Sequence, residues 1–175
     1  MKKILTLLFL ILLLSHVKAS HYSGGNITYQ WIGPTANDFY VELSLYYDCS
    51  SPLWADNSIL IDVKSTCGMN YQFYLYANLS NLLEITPLCT SQMNQSECQG
   101  GALPGRYYIK YEGYIEIDST CASWTISHST CCYNDVTNIN GAYAEDFYYN
   151  TTFNTSEAQF NKSPEYDSVN YFYTC

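Results

Sequence analysis

The sequence predicts an all-β protein, an antiparallel β-sandwich of the immunoglobulin-like kind, stapled by disulfides. Three observations carry this expectation. Apolar and polar residues alternate with period two over seven separate stretches; those stretches are rich in β-branched and aromatic residues; and Gly, Pro, Asn and Asp turns bound them. Short strands at such spacing pack as antiparallel layers.

In chain order the strands are expected over 26–32 (NITYQWI), 39–49 (FYVELSLYYDC), 58–65 (SILIDVKS), 71–77 (YQFYLYA), 106–118 (RYYIKYEGYIEID), 123–129 (SWTISHS) and 144–153 (AEDFYYNTTF). Successive side chains of a strand point to opposite faces. Val41, Leu43, Leu45 and Tyr47 therefore belong to the core, and Glu42 and Ser44 to water. Gly113 interrupts the longest stretch and marks a bulge or bend. Only 77–85 (ANLSNLLEI) has room for a short helix. The segment 88–104 (LCTSQMNQSECQGGALP) is polar, Gly-rich and carries two cysteines, which makes it a candidate contact surface. No internal repeat runs at a fixed period.

The chain opens with MKKILTLLFLILLLSHVKAS: two lysines, an apolar stretch from Ile4 to Leu14, then Val17 and Ala19 before a cleavage position. That is the layout of a secretory signal peptide over 1–19. The stretch is too short to span a bilayer, and no later run of about 18 apolar residues appears. The expected organisation is therefore a signal peptide over 1–19, a β-sandwich module over 20–160, and over 161–175 a linker with the first strand of a following domain. Loss of Lys2, Lys3 and Lys18 with the leader leaves Lys64, Arg106, Lys110 and Lys162 against 16 acidic residues, a net charge of −12. Such a surface repels nucleic acid and anionic lipid, so neither nucleic-acid binding nor membrane insertion after leader removal is expected. With 19 Tyr, 7 Phe and 3 Trp the chain has the aromatic content of an ordered domain.

All eight cysteines, Cys49, Cys67, Cys89, Cys98, Cys121, Cys131, Cys132 and Cys175, follow the leader. An even count in an exported chain reads as a disulfide framework, for which eight cysteines allow roughly a hundred connectivities. The rival reading is a metal site from Cys121, His128, Cys131 and Cys132. It lacks a C-x-x-C pair, and an oxidising compartment would consume the thiols. Adjacent cysteines rarely bridge each other, so Cys131 and Cys132 are expected to reach two different partners. The pairing expected is Cys89 with Cys98 around a local loop, and Cys49 and Cys121 with the two adjacent cysteines.

Catalytic signatures are absent from the sequence. There is no G-x-S-x-G elbow and no H-E-x-x-H helix, and His128 stands alone among the strands. No cofactor is expected. Calcium at Glu145 and Asp146, or at Asp135, is the alternative, although no D-x-D-x-D-G loop occurs. Asn26, Asn78, Asn94, Asn150, Asn154 and Asn161 begin N-x-S/T sequons. Abundant Tyr, Asn, Ser and Gly is a composition used at recognition surfaces, while Tyr also simply suits half-exposed strands.

Four segments together, SHYSGGNITYQWIG, YVELSLYYDCS, YEGYIEIDSTCASWTISHSTCCYNDVTNIN and FNKSPEYDS, resemble the N-terminal module of large secreted Bacteroidetes surface proteins. Many proteins of that family carry gliding-motility-associated or type IX sorting domains. The family pattern looks like S-H-x-x-G-G-E-I-T-Y, L-Y-R-D-C, W-x-x-S-x-x-x-C-C-R-N and N-S-P-V-F, and the likeness runs in this order from residue 20 onward. This chain departs at Tyr47 and Tyr133, where the family has Arg, and at Asn26, where it has Glu. The resemblance implies a β-rich extracellular module with roles in adhesion, matrix or motility.

The function expected is that of an exported, non-enzymatic surface, adhesion or structural module, with a cell-surface polysaccharide or protein as partner. Disulfides would hold the strands, and the 88–104 loop with its neighbouring tyrosines would make the contact. The alternative is a carbohydrate-binding, lectin-like module in which Trp31, Trp54 or Trp124 stacks on sugar.

Overall fold

Among the described residues eight strands form, because apolar side chains recur at every second residue and burying one face of each strand requires a partner face. The computed structural model describes residues 22–33, 37–50, 55–131, 146–156 and 161–164. Its strands are β1 (Tyr22–Trp31), β2 (Asp38–Asp48), β3 (Ser58–Ser65), β4 (Asn70–Ala77), β5 (Leu83–Glu84), β6 (Arg106–Glu116), β7 (Trp124–Cys131) and β8 (Asp146–Phe153). All pairs are antiparallel, in the order β1-β2-β6-β4-β3-β7-β8, with β5 paired to β6. The expected all-β, antiparallel, disulfide-stapled fold is what forms.

Its two halves belong to one hydrogen-bonded sheet. Ladders are long within β1-β2-β6 and within β4-β3-β7-β8, whereas β4 and β6 meet over two residue pairs, Tyr76 with Glu112 and Ala77 with Tyr111. At the far ends β8 returns against β1: the Tyr29 and Phe153 rings lie 5.2 Å apart, and Tyr29 donates its hydroxyl to the Thr152 carbonyl at 3.3 Å. The sheet is thus nearly closed around its core.

That core follows the alternation. Val41, Leu43, Leu45 and Tyr47 of β2 are buried, as expected, and meet Ile27, Tyr29, Ile61, Val63, Leu75, Ile109, Tyr111, Trp124, Ile126 and Phe153. Ser44 departs from expectation: it is buried, and its hydroxyl lies 3.0 Å from that of Tyr108, whose side chain stands over the same outer position. Gly113 makes no bulge, since the β2–β6 register runs unbroken from Asp38–Glu116 to Asp48–Arg106. Its reason is close approach. A Cβ there would come 2.9 Å from Leu75 Cδ2 and 3.1 Å from the Tyr74 carbonyl oxygen, so glycine is what lets β4 close onto β6.

The expected short helix over 77–85 resolves into a single 3-10 turn, Leu79–Asn81, followed by β5. Asn78 ends β4 by accepting the Ser80 N–H at 3.1 Å, and strand pairing with β6 then takes the chain. The expected linker starts at 161, yet Asn161, Lys162 and Ser163 bind along β1. Lys162 pairs with Gln30, and the backbone N–H of Tyr29 donates to Ser163 Oγ at 2.9 Å, so the folded module extends at least to Ser163. The signal peptide expected over 1–19, the remainder of that linker over 165–175, and Trp54 lie outside the described residues.

The bridges correct the expected pairing. Cys49 joins Cys98, and Cys67 joins Cys121, so neither Cys49 nor Cys121 goes to the adjacent cysteines, and Cys98 does not close a local loop with Cys89. The reason is strand order. The Cys49 N–H donates to the Gly105 carbonyl at 3.0 Å, where β2 and β6 end together, and a Cβ on Gly105 would lie 2.5 Å from Cys98 Sγ; only a residue without a side chain lets the loop return there. Likewise the Ser65–Trp124 register of β3 and β7 sets the turn after β3 beside Cys121. Cys89 is disulfide-bonded too, whereas Cys132 and Cys175 lie outside the described residues.

Candidate functional site

On the outer face, the same alternation that fills the core sets out a row of tyrosines. Along β2 and β6 the outward pairs are Tyr40–Tyr114, Glu42–Glu112, Ser44–Lys110 and Tyr46–Tyr108. The Tyr40 and Tyr114 rings lie 5.5 Å apart, and the Tyr46 and Tyr108 rings 5.7 Å apart. The short seam with β4 then brings Tyr76 opposite Glu112, with Tyr74 one outward position further along. Tyr74, Tyr76 and Tyr114 are 58%, 61% and 74% exposed, among the most exposed large side chains described. Together with Tyr40, Asn78, Glu112 and Gly113 they line an open cleft of roughly 550 Å³.

Glu112 organises the floor of this cleft. Tyr40 donates to its Oε2 at 2.5 Å, and Lys110 Nζ lies 3.0 Å from the same oxygen. Lys110 also approaches Glu42 at 3.5 Å. Hydrogen bonds from Tyr40 and then Lys110 hold the Glu112 carboxyl below the usual range. The bond to Glu112 raises the Lys110 ammonium pKa. Burial first, and donation to Glu112 second, push the Tyr40 hydroxyl up. At neutral pH the cleft therefore holds a charged pair with a neutral phenol beside it.

The 88–104 loop lies elsewhere. It is shaped by 3-10 turns at Thr90–Gln95 and Glu97–Gln99 and by a Ser96–Leu103 bridge. Glu84 ties it down, accepting from Ser96 Oγ at 2.5 Å, Gln99 Nε2 at 2.6 Å and Thr86 Oγ1 at 2.7 Å. Burial raises the pKa of this carboxyl, and the three hydrogen bonds outweigh it and bring it below the ordinary value. The loop packs at the Arg106 end of β6, where Arg106 pairs with Asp48 at 2.8 Å. The β6 residues of the cleft sit six to eight positions on, about 20–26 Å along the strand. The loop and the cleft are thus two separate surfaces, and a tyrosine that does neighbour the loop is Tyr107, which donates its hydroxyl to the Cys98 carbonyl at 3.2 Å.

Of the tryptophans expected as sugar platforms, Trp124 is closed off. Trp124 is fully buried, stacked between Tyr71 and Phe153 at 5.9 and 6.2 Å, and donates its indole N–H to Thr155 Oγ1 at 3.1 Å. It cannot stack on a sugar. Trp31 is half-buried and rests against the core. His128 Nδ1 is 2.8 Å from the Leu60 carbonyl, and burial lowers its pKa, which makes it a neutral packing group at neutral pH. No group of three or more metal-ligating side chains occurs among the described residues, and Asp135 and Glu145 lie outside them.

The tyrosine cleft was missed because tryptophan is the stronger stacking signal. What could have found it is the spacing in YEGYIE and YQFYLYA, where Tyr74, Tyr76, Glu112 and Tyr114 occupy the parity opposite to Leu75, Tyr111 and Ile115. Comparison with protein-family models, with curated proteins and with solved structures finds no match.

Proposed function

We propose that this chain is an exported, non-enzymatic recognition module of a cell surface, and that its contact face is the tyrosine cleft over the β4–β6 seam. The observation that carries this reading is the exposure of Tyr74, Tyr76 and Tyr114 on paired strands. Exposed tyrosines are stiff and amphipathic, so they gain contact area at low entropic cost. Placed on strands rather than on a free loop, they keep one geometry before and after binding. The two bridges that tie strand ends to loops support that rigidity and suit an oxidising compartment. No helix among the described residues is long and apolar enough to cross a membrane. The sequence resemblance to Bacteroidetes surface proteins points to adhesion, matrix or motility roles in the same direction.

The test is binding of the labelled full chain to whole cells and to the isolated cell-wall fraction. Combined Tyr74→Ala, Tyr76→Ala and Tyr114→Ala changes should abolish binding with an unchanged circular dichroism spectrum. Retained binding would move the contact face elsewhere, with the 88–104 loop the next surface to alter. Carbohydrate binding is the second reading, favoured by aromatic rings that surround a carboxylate and an amide in one open cleft.

A further inference from the structure

We infer that the cleft takes an uncharged saccharide, held against the exposed tyrosine rings and through hydroxyl groups at Glu112 and Asn78. This rests on the tyrosine face being the recognition surface. Both hydrogen bonds to Glu112 fall on Oε2, from Tyr40 and from Lys110, which leaves Oε1 as an acceptor with no partner among the described residues. Asn78 uses its Oδ1 to accept the Ser80 N–H, and its amide NH₂ remains as a donor at the rim. The cleft therefore offers one acceptor and one donor beside apolar ring faces. A sugar presents the matching set: C–H faces that lie on aromatic rings and hydroxyls that both give and accept hydrogen bonds.

Charge narrows the class. A cation reaching Glu112 would meet the Lys110 ammonium 3.0 Å from the carboxylate oxygen it already neutralises. An anion would meet Glu42 and Glu112 in a chain of net charge −9. A neutral hydroxyl donates to Oε1 without displacing Lys110. The space of roughly 550 Å³ is in the range that holds a short oligosaccharide.

The experiment is calorimetric titration of the full chain with neutral oligosaccharides of cellulose, chitin, mannan and starch type. Heparin and polylysine serve as charged probes. At least one neutral series should bind, with little change when salt is raised to about 0.5 M, because no ion pair forms. Tyr76→Ala and Glu112→Ala should each weaken it about tenfold or more, and Trp31→Ala should not. Circular dichroism and thermal unfolding of each variant separate lost binding from lost folding. No neutral saccharide binding overturns the inference; if cell binding is still lost in the tyrosine variants, the recognition face stands without it. Salt-sensitive binding of a charged probe that depends on Tyr76 also overturns the saccharide assignment. Neutral saccharide binding unaffected by Tyr76→Ala and Glu112→Ala overturns both.

Discussion

Tyrosines of the inner face and tyrosines of the outer face share a side chain and differ in everything around it. Tyr47 donates to the Tyr22 hydroxyl at 2.6 Å, Tyr111 to the Asp56 carbonyl at 3.0 Å, and Tyr29 to Asn161 Oδ1 at 2.9 Å. All four lie in the core, where a phenol without a partner would cost stability, so each keeps its polar end bonded. On the opposite face Tyr74, Tyr76 and Tyr114 stand in solvent, with little packing to lose and much contact area to offer. One step along the strand converts a core residue into a solvent-exposed one. A bare tyrosine count cannot distinguish the two roles; parity within a strand can.

The largest expected effect breaks the inner set. Tyr111→Ala removes a fully buried ring and should destabilise by about 3–5 kcal/mol, read from the denaturant midpoint. Removing the Cys49–Cys98 bridge by replacing both cysteines with serine should cost roughly 2–4 kcal/mol. Saccharide and cell binding should survive that change at temperatures where the chain stays folded, because the bridge lies at the other end of β6 from the cleft.

Alkaline titration sharpens the contrast. Burial pushes the Tyr111 hydroxyl up from 10.0 to about 12 and also raises that of Tyr47. A pKa raised on folding means the neutral phenol is favoured in the folded state. Its stabilising contribution is complete below pH 10 and is lost as pH rises from 10 through about 12, a change of a few kcal/mol. Unfolding midpoints measured across that window should fall, and Tyr111→Phe should flatten the fall. The smallest effect belongs to the outer set: Tyr76→Ala should change stability by no more than about 0.5 kcal/mol while weakening saccharide binding about tenfold or more. A large stability loss there would show that the outer tyrosines are structural after all.

Much of the fold was legible in the residues themselves. The seven expected strands coincide with seven of the eight formed, and β3 does so residue for residue, because period-two alternation and turn residues are local signals. Val41, Leu43, Leu45 and Tyr47 were legible as core for the same reason. Ser44 was not, because the group that covers it, Tyr108, sits far along the chain. Trp124 was misread for a related reason: tryptophan suits a sugar platform or a core equally well, and what decides is whether Tyr71 and Phe153 close over it.

By itself, then, the sequence determined an all-β chain, the strand positions, and which residues share a face, since each of these depends on neighbours one or two residues apart. Strand order came only with the tertiary structure. It set Cys98 beside Cys49 and Cys121 beside Cys67, and it laid β4 against β6 at Gly113. The cleft exists because that seam carries Tyr74 and Tyr76 to Tyr40, Glu112 and Tyr114. Pairings so distant in sequence are chosen by burial of the whole apolar face, a collective energy that no local pattern contains.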